Sequence, residues 1–74
     1  MFSYRNFEIH LEVSLTPAGT YTGVTTVRRH DGTGRWTARS VGQTSERLAR
    51  ECCDALGRQI IDVQVELDRH MPVN

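Results

Sequence analysis

Phe7-Glu8-Ile9-His10-Leu11-Glu12-Val13-Ser14-Leu15 alternates without a break: the odd positions are apolar and the even positions polar. A period of two sends successive side chains to opposite faces, so this stretch reads as a β-strand with one dry and one wet face. Further along, the period changes. From Thr44 onward Leu48, Cys52, Leu56 and Ile60 recur at every fourth residue, one stripe of an amphipathic helix. The dry face of a sheet and the dry stripe of a helix can cover each other, which predicts an α+β fold.

The segments between them fill in the topology. Pro17-Ala18-Gly19-Thr20 is a tight connection, with Pro pre-setting φ and Gly accepting φ > 0. Asp31-Gly32-Thr33-Gly34 is a second hairpin signal. Strands are therefore expected over about 7–16, 21–30 and 35–41. Gly42-Gln43 breaks the pattern, Thr44 or Ser45 can cap a helix, and Glu46 suits its first turn. The helix is expected over about 45–62. Gly57 reads either as its terminator or as an interior residue allowing close approach to the sheet. Residues 60–67 carry two patterns. Ile61, Val63, Val65 and Leu67 alternate like a fourth strand, while Leu56, Ile60, Val63 and Leu67 continue the helical stripe. The tail, 70–74, is expected to be mobile. The architecture is then one domain over 1–74: an antiparallel three-stranded meander with one C-terminal helix on one face (β-β-β-α).

Which residues of the later strands face the helix depends on loop length. Four-residue loops put Val24 and Val41 on the dry face with Ile9, Leu11, Val13 and Leu15, and send Trp36 outward as a binding anchor. A bulge in either loop flips the parity and brings Trp36 and Ala38 inward. The inward reading is preferred because Trp is highly buried on average.

At 74 residues the chain is a single domain, and one core of this size supplies only ~3–5 kcal/mol of net stability. Its formal net charge is zero, so no global field draws it to nucleic acid or to an anionic membrane. Locally, Arg28 to Arg50 sums to +4 and Glu51 to Asn74 to −3. All nine basic residues are Arg, a composition that fits either anion recognition or a GC-rich genome. Cys52 and Cys53 are adjacent, a spacing that strains a disulfide, so two free thiols and a reducing, cytoplasmic compartment are expected. Cys52, on the stripe, should react slowly with a thiol reagent and Cys53 faster. No apolar run spans a bilayer, and no membrane partner is expected.

Candidate chemistry is sparse. Glu8-x-His10-x-Glu12 places two carboxylates and an imidazole on one strand face, but alternation alone makes that face polar and no fourth metal ligand is evident. A Cys52–His10 dyad would have a sheet between its members. The Gly-rich turns lack the Lys-Ser/Thr of a phosphate loop, and neither opens a helix. We therefore expect no catalytic residue, no metal, no cofactor and no enzyme. The candidate binding surface is Arg28, Arg29, Arg35 and Arg39 with Trp36, on the hairpin 28–39, since a β-ribbon carrying Arg can enter a major groove. The simpler account is a solvated hairpin whose arginines pair with Glu8 and Glu12 on the neighbouring strand.

Tyr21-x-Gly23-Val24, Arg35-Trp36-Thr37-Ala38 and the Ala/Leu-containing helix after them resemble the ethylene-response-type DNA-binding domain and the arm-binding domain of phage integrases, over about Tyr21 to Leu56. That resemblance implies a three-stranded sheet reading DNA. Those domains are markedly basic, and the basic positions of their first two strands are mostly Thr here. Over its whole length the chain is similar to small bacterial β-β-β-α proteins with no assigned activity. A double-stranded RNA-binding domain would need a helix before the first strand, and Met1 to Asn6 is too short for one. The expected function is a non-enzymatic protein-interaction module, with a protein partner or a homodimer. The alternative is nucleic-acid binding through the Arg hairpin.

Overall fold

A computed structural model describes residues 1–70; the expected tail beyond His70 lies outside the described residues. Four strands form one antiparallel sheet in sequence order, β1 (Phe2–Tyr4), β2 (Phe7–Leu15), β3 (Tyr21–Arg29) and β4 (Arg35–Gln43), followed by helix α1 (Glu46–His70). The α+β arrangement, a meander with a helix on one face, is as expected. Its additional strand, however, is not 60–67. That segment is helix, and α1 runs 25 residues to His70 rather than stopping at Asp62. Asp68 explains the extension, since its carboxylate accepts two hydrogen bonds from Arg29 at 2.9 and 3.2 Å and fixes the last turns to the β3 end.

The fourth strand is β1, too short to show a period. Tyr4 pairs with Phe7 across Arg5 and Asn6, whose φ values of 49° and 69° are both positive, as a two-residue type I′ hairpin requires. Asn tolerates that region but Arg does not favour it. The turn is held from outside: Tyr4 OH and Arg5 Nη1 both donate to Asp62 Oδ1, at 2.9 and 2.8 Å. These bonds hold the Asp62 carboxyl below its usual range, Arg5 having the larger effect.

Strand parity is decided at the first hairpin. Thr16 N donates to Thr20 O and Gly19 N to Thr16 O, leaving a three-residue loop, Pro17-Ala18-Gly19, with Gly19 at φ 82°. An odd loop with a left-handed Gly is the bulged hairpin, and it flips the faces relative to a four-residue loop. Gly23, Thr25 and Val27 therefore point to the helix with Phe7 and Ile9, and Trp36 turns inward, its ring 5.9 Å from Phe7. Val24 lies on the other face, and Val41 is 66% exposed. A second irregularity, where Tyr21–Gly23 opposes Ser40–Gln43, puts an extra residue in β4 beside Gly42 at φ 72°.

Ser45 caps α1 by accepting a hydrogen bond from Leu48 N at 3.1 Å. The stripe against the sheet is Ala49, Cys53, Gly57 and Ile61, one residue on from the expected Leu48, Cys52, Leu56 and Ile60. Leu48 is 38% exposed, and Cys52, Leu56 and Ile60 are half-buried. The reason is distance. Small residues let the helix axis come close to the sheet, and a Cβ on Gly57 would already lie 3.1–3.3 Å from Thr25 Oγ1 and Ile9. The core is Phe7, Ile9, Val27 and Ile61, bordered by Phe2, Tyr4, Leu11, Trp36, Ile60 and Val65.

The thiols follow this shift. Both are free, but Cys53 is the buried one and Cys52 is half-exposed, the reverse of the expected order. Burial is the main cause pushing the Cys53 thiol up, with its neighbour Cys52 adding to it. Under native conditions a thiol reagent should label Cys52 first, with Cys53 at least about tenfold slower, because only the thiolate reacts and it must be reached. Mass analysis of partly labelled protein reads the order, and modification mainly at Cys53 would contradict the packing.

Candidate functional site

The five residues expected to form one binding surface fall on two faces. Arg28, Arg35 and Arg39 project from the outer, helix-free face of the sheet. Arg29 and Trp36 project from the helix side. Arg29 is a structural residue: its guanidinium lies over the rings of Phe7 (5.3 Å) and Trp36 (5.5 Å) and is clamped by Asp68. Trp36 is half-buried against the core, not an outward anchor.

On the outer face the register sets the neighbours. Arg28 stands between Glu8 and Arg35, Thr26 between His10 and Thr37, and Val24 between Glu12 and Arg39. Arg28 Nη2 donates to Glu8, as the hairpin-pairing account expects, and this bond is the main cause holding the Glu8 carboxyl below its usual range. Glu12 does not reach an arginine. Its carboxylate lies 3.2 Å from His10 Nε2, and Val24 separates it from Arg39. Glu8, His10, Val24, Thr26, Arg28 and Arg35 line a shallow concavity of about 370 Å³. Among the described residues no group of three His, Cys, Asp or Glu side chains could hold a metal ion.

The helix side carries a feature the sequence reading did not single out. The two flanks of α1 differ in kind. Toward β1 and β2 the flank is charged: Asp54 pairs with Arg58, Arg58 lies over Phe2 and Tyr4, and Asp62 holds Arg5. Toward β4 it is apolar, with Leu56, Ile60 and the 51% exposed Val63; Leu67, 53% exposed, lies with Val63 on the outer side of the helix, where Arg58, Asp62, Glu66 and His70 border them. Trp36, Leu56, Gln59, Ile60, Val63 and Gln64 line an open depression of about 310 Å³ with no charged residue in it. The signal was present as the 4-3-4 spacing of Leu56, Ile60, Val63 and Leu67. From the sequence that spacing reads as core, because a single helix shows only one obvious stripe until the sheet selects another.

Beside this flank β4 is an edge of the sheet, with no strand on its outer side among the described residues. Arg29 N bonds to Gly34 O, so the hydrogen-bonded pairs with β3 fall on the even residues of β4. The N–H and C=O groups of Arg35, Thr37 and Arg39 point away from the sheet. No helix in the described residues is long and apolar enough to cross a membrane. No family model, curated protein or solved structure matches this chain.

Proposed function

We propose that this chain is a non-enzymatic protein-interaction module, working through the β4 side of the molecule in a reducing cytoplasm. One observation carries the reading: partly exposed Trp36, Leu56, Ile60 and Val63 line one uncharged depression beside a strand edge that has no partner among the described residues. A contiguous apolar patch with free backbone groups at its border suits a protein partner better than a charged ligand. The two unbridged cysteines support the compartment. A pull-down from the native host tests the reading. The expected complex persists in high salt and is lost with Val63→Glu; a complex dissolved by salt and indifferent to Val63→Glu overturns it.

The second reading is nucleic-acid binding, favoured by Arg28, Arg35 and Arg39 sharing the outer face and by the resemblance of the hairpin to three-stranded DNA-binding domains. Arg28 is already paired with Glu8, and the net charge is zero. Binding to duplex DNA, followed by fluorescence anisotropy at physiological salt, should be no tighter than the ~10⁻⁴ M of non-specific association. A micromolar complex with a log–log salt slope of about −3, lost when all three arginines become Ala, would reverse the ranking.

A further inference from the structure

We infer that the partner of the β4 side is a second copy of this chain, paired antiparallel along β4 about a two-fold axis at Ala38. This rests on the interaction-module reading and specifies its partner.

The first argument is the edge itself. The regular part of β4 is bounded at one end by the Gly34 loop junction and at the other by the bulge beside Gly42. That leaves Arg35 to Ser40 in unbroken register with β3, six residues whose centre lies between Thr37 and Ala38. Antiparallel pairing of two copies keeps both helices on one face only if residues of like parity oppose each other. An axis at Ala38 does this and sets Arg35 opposite Val41, Trp36 opposite Ser40, Thr37 opposite Arg39, and Ala38 opposite itself. The whole regular stretch is used. Thr37 and Arg39, whose backbone groups point outward, become the hydrogen-bonded pair.

The second argument is charge. Shifting the axis to Thr37 sets Arg35 opposite Arg39, and shifting it to Arg39 sets two Arg39 side chains opposite each other; both are destabilising. An axis at Trp36 runs the pairing into the 30–33 loop. The Ala38 register has no like charges directly opposed.

The third argument is the layer above. Ala38 pairs with Thr25, and Gly57 packs on Thr25, so the axis passes beside Leu56 and Ile60. The uncharged flanks of the two helices, with Trp36 between them, then face each other across the seam. The competing edge, Leu11 to Leu15 of β2, is shorter because β1 occupies its lane from Phe7 to Ile9. Its neighbouring depression is lined by Arg50, Glu51, Asp54 and Arg58, which like-for-like pairing would bring together.

Sedimentation across a dilution series, with cysteine cross-linking in a Cys52→Ser background, tests this. A non-hydrogen-bonded antiparallel pair has Cα atoms ~4.5 Å apart, within disulfide reach of ~4.4–6.8 Å. Ala38→Cys should therefore bridge two chains under mild oxidation. Thr37→Cys and Arg39→Cys should not, because each is displaced from its own copy by more than about 7 Å. Thr37→Pro removes only an outward N–H, and should weaken the dimer at least about tenfold while the circular dichroism of the monomer is unchanged. A chain that stays monomeric at every concentration and does not bridge at Ala38→Cys overturns the proposal. A dimer that bridges at Val13→Cys instead, and ignores Thr37→Pro, also overturns it but leaves the interaction-module reading standing. Loss of that broader reading would show separately, as the arginine-dependent DNA complex.

Discussion

Ile61→Ala is expected to lower the unfolding free energy by about 3–4 kcal/mol, as for other fully buried aliphatic truncations. Ile61 has no exposed surface and closes the core with Phe7, Ile9 and Val27. A domain of this size has only ~3–5 kcal/mol to lose, so much of the variant would be unfolded at room temperature. Denaturant titration of the milder Ile61→Val keeps the measurement tractable, with an expected loss of ~1 kcal/mol. Leu56→Ala, a truncation on the half-exposed flank, should cost less than Ile61→Ala. If Leu56→Ala proved the more damaging, the helix would be rotated by about 100°, one residue, from the orientation described.

Gly23→Ala is expected to destabilise by about 2–3 kcal/mol, although a Gly inside a strand is ordinarily improved by a side chain. The sign reverses because α1 lies directly on the β3 backbone here. A Cβ on Gly23 would collide with Cys53 Sγ and sit 3.3 Å from Ala49 O. Cys53 has no exposed surface, and backbone stands behind it, so relief requires the helix to move. The double variant Gly23→Ala with Cys53→Ala removes the colliding sulfur and should recover at least about 1 kcal/mol relative to additivity. Strict additivity in thermal or denaturant melts would mean that the two residues do not touch.

These two sites show where reading the chain succeeds and where it stops. The alternation from Phe7 to Leu15 and the helical period after Thr44 are local properties, set by whether side chains repeat at two residues or at about four. They suffice for β2, β3, β4 and the start of α1, their order, and the helix on one face. Identifying the dry face of β2 needed no tertiary information, because its polar and apolar residues are cleanly separated. The turns were legible wherever Gly or Pro marked them. Arg5-Asn6 carries no such mark, and β1, three residues long, was missed with it.

Facing is another matter. Two stripes one residue apart on α1 have the same period, and hydrophobicity favoured the bulkier one. The sheet accepts the smaller, because Ala49, Cys53 and Gly57 let the layers approach while Leu56 and Ile60 would hold them apart. Likewise the Arg hairpin was legible as a charged segment, but its division into two faces depended on one residue of loop length at Pro17-Ala18-Gly19. That residue sent Arg28, Arg35 and Arg39 to the open face and Arg29 and Trp36 to the core side. Ion pairs such as Arg29–Asp68 and Arg5–Asp62 join residues far apart in the chain, so no local pattern announces them. Periodicity is a property of the chain, so the three long strands and the first turns of the helix are legible in it, whereas the three-residue β1 and the helical state of 60–67 are not. Which residues are core, which arginines face the open side and which edge is exposed follow instead from the distance between layers and from strand register, neither of which a local pattern carries.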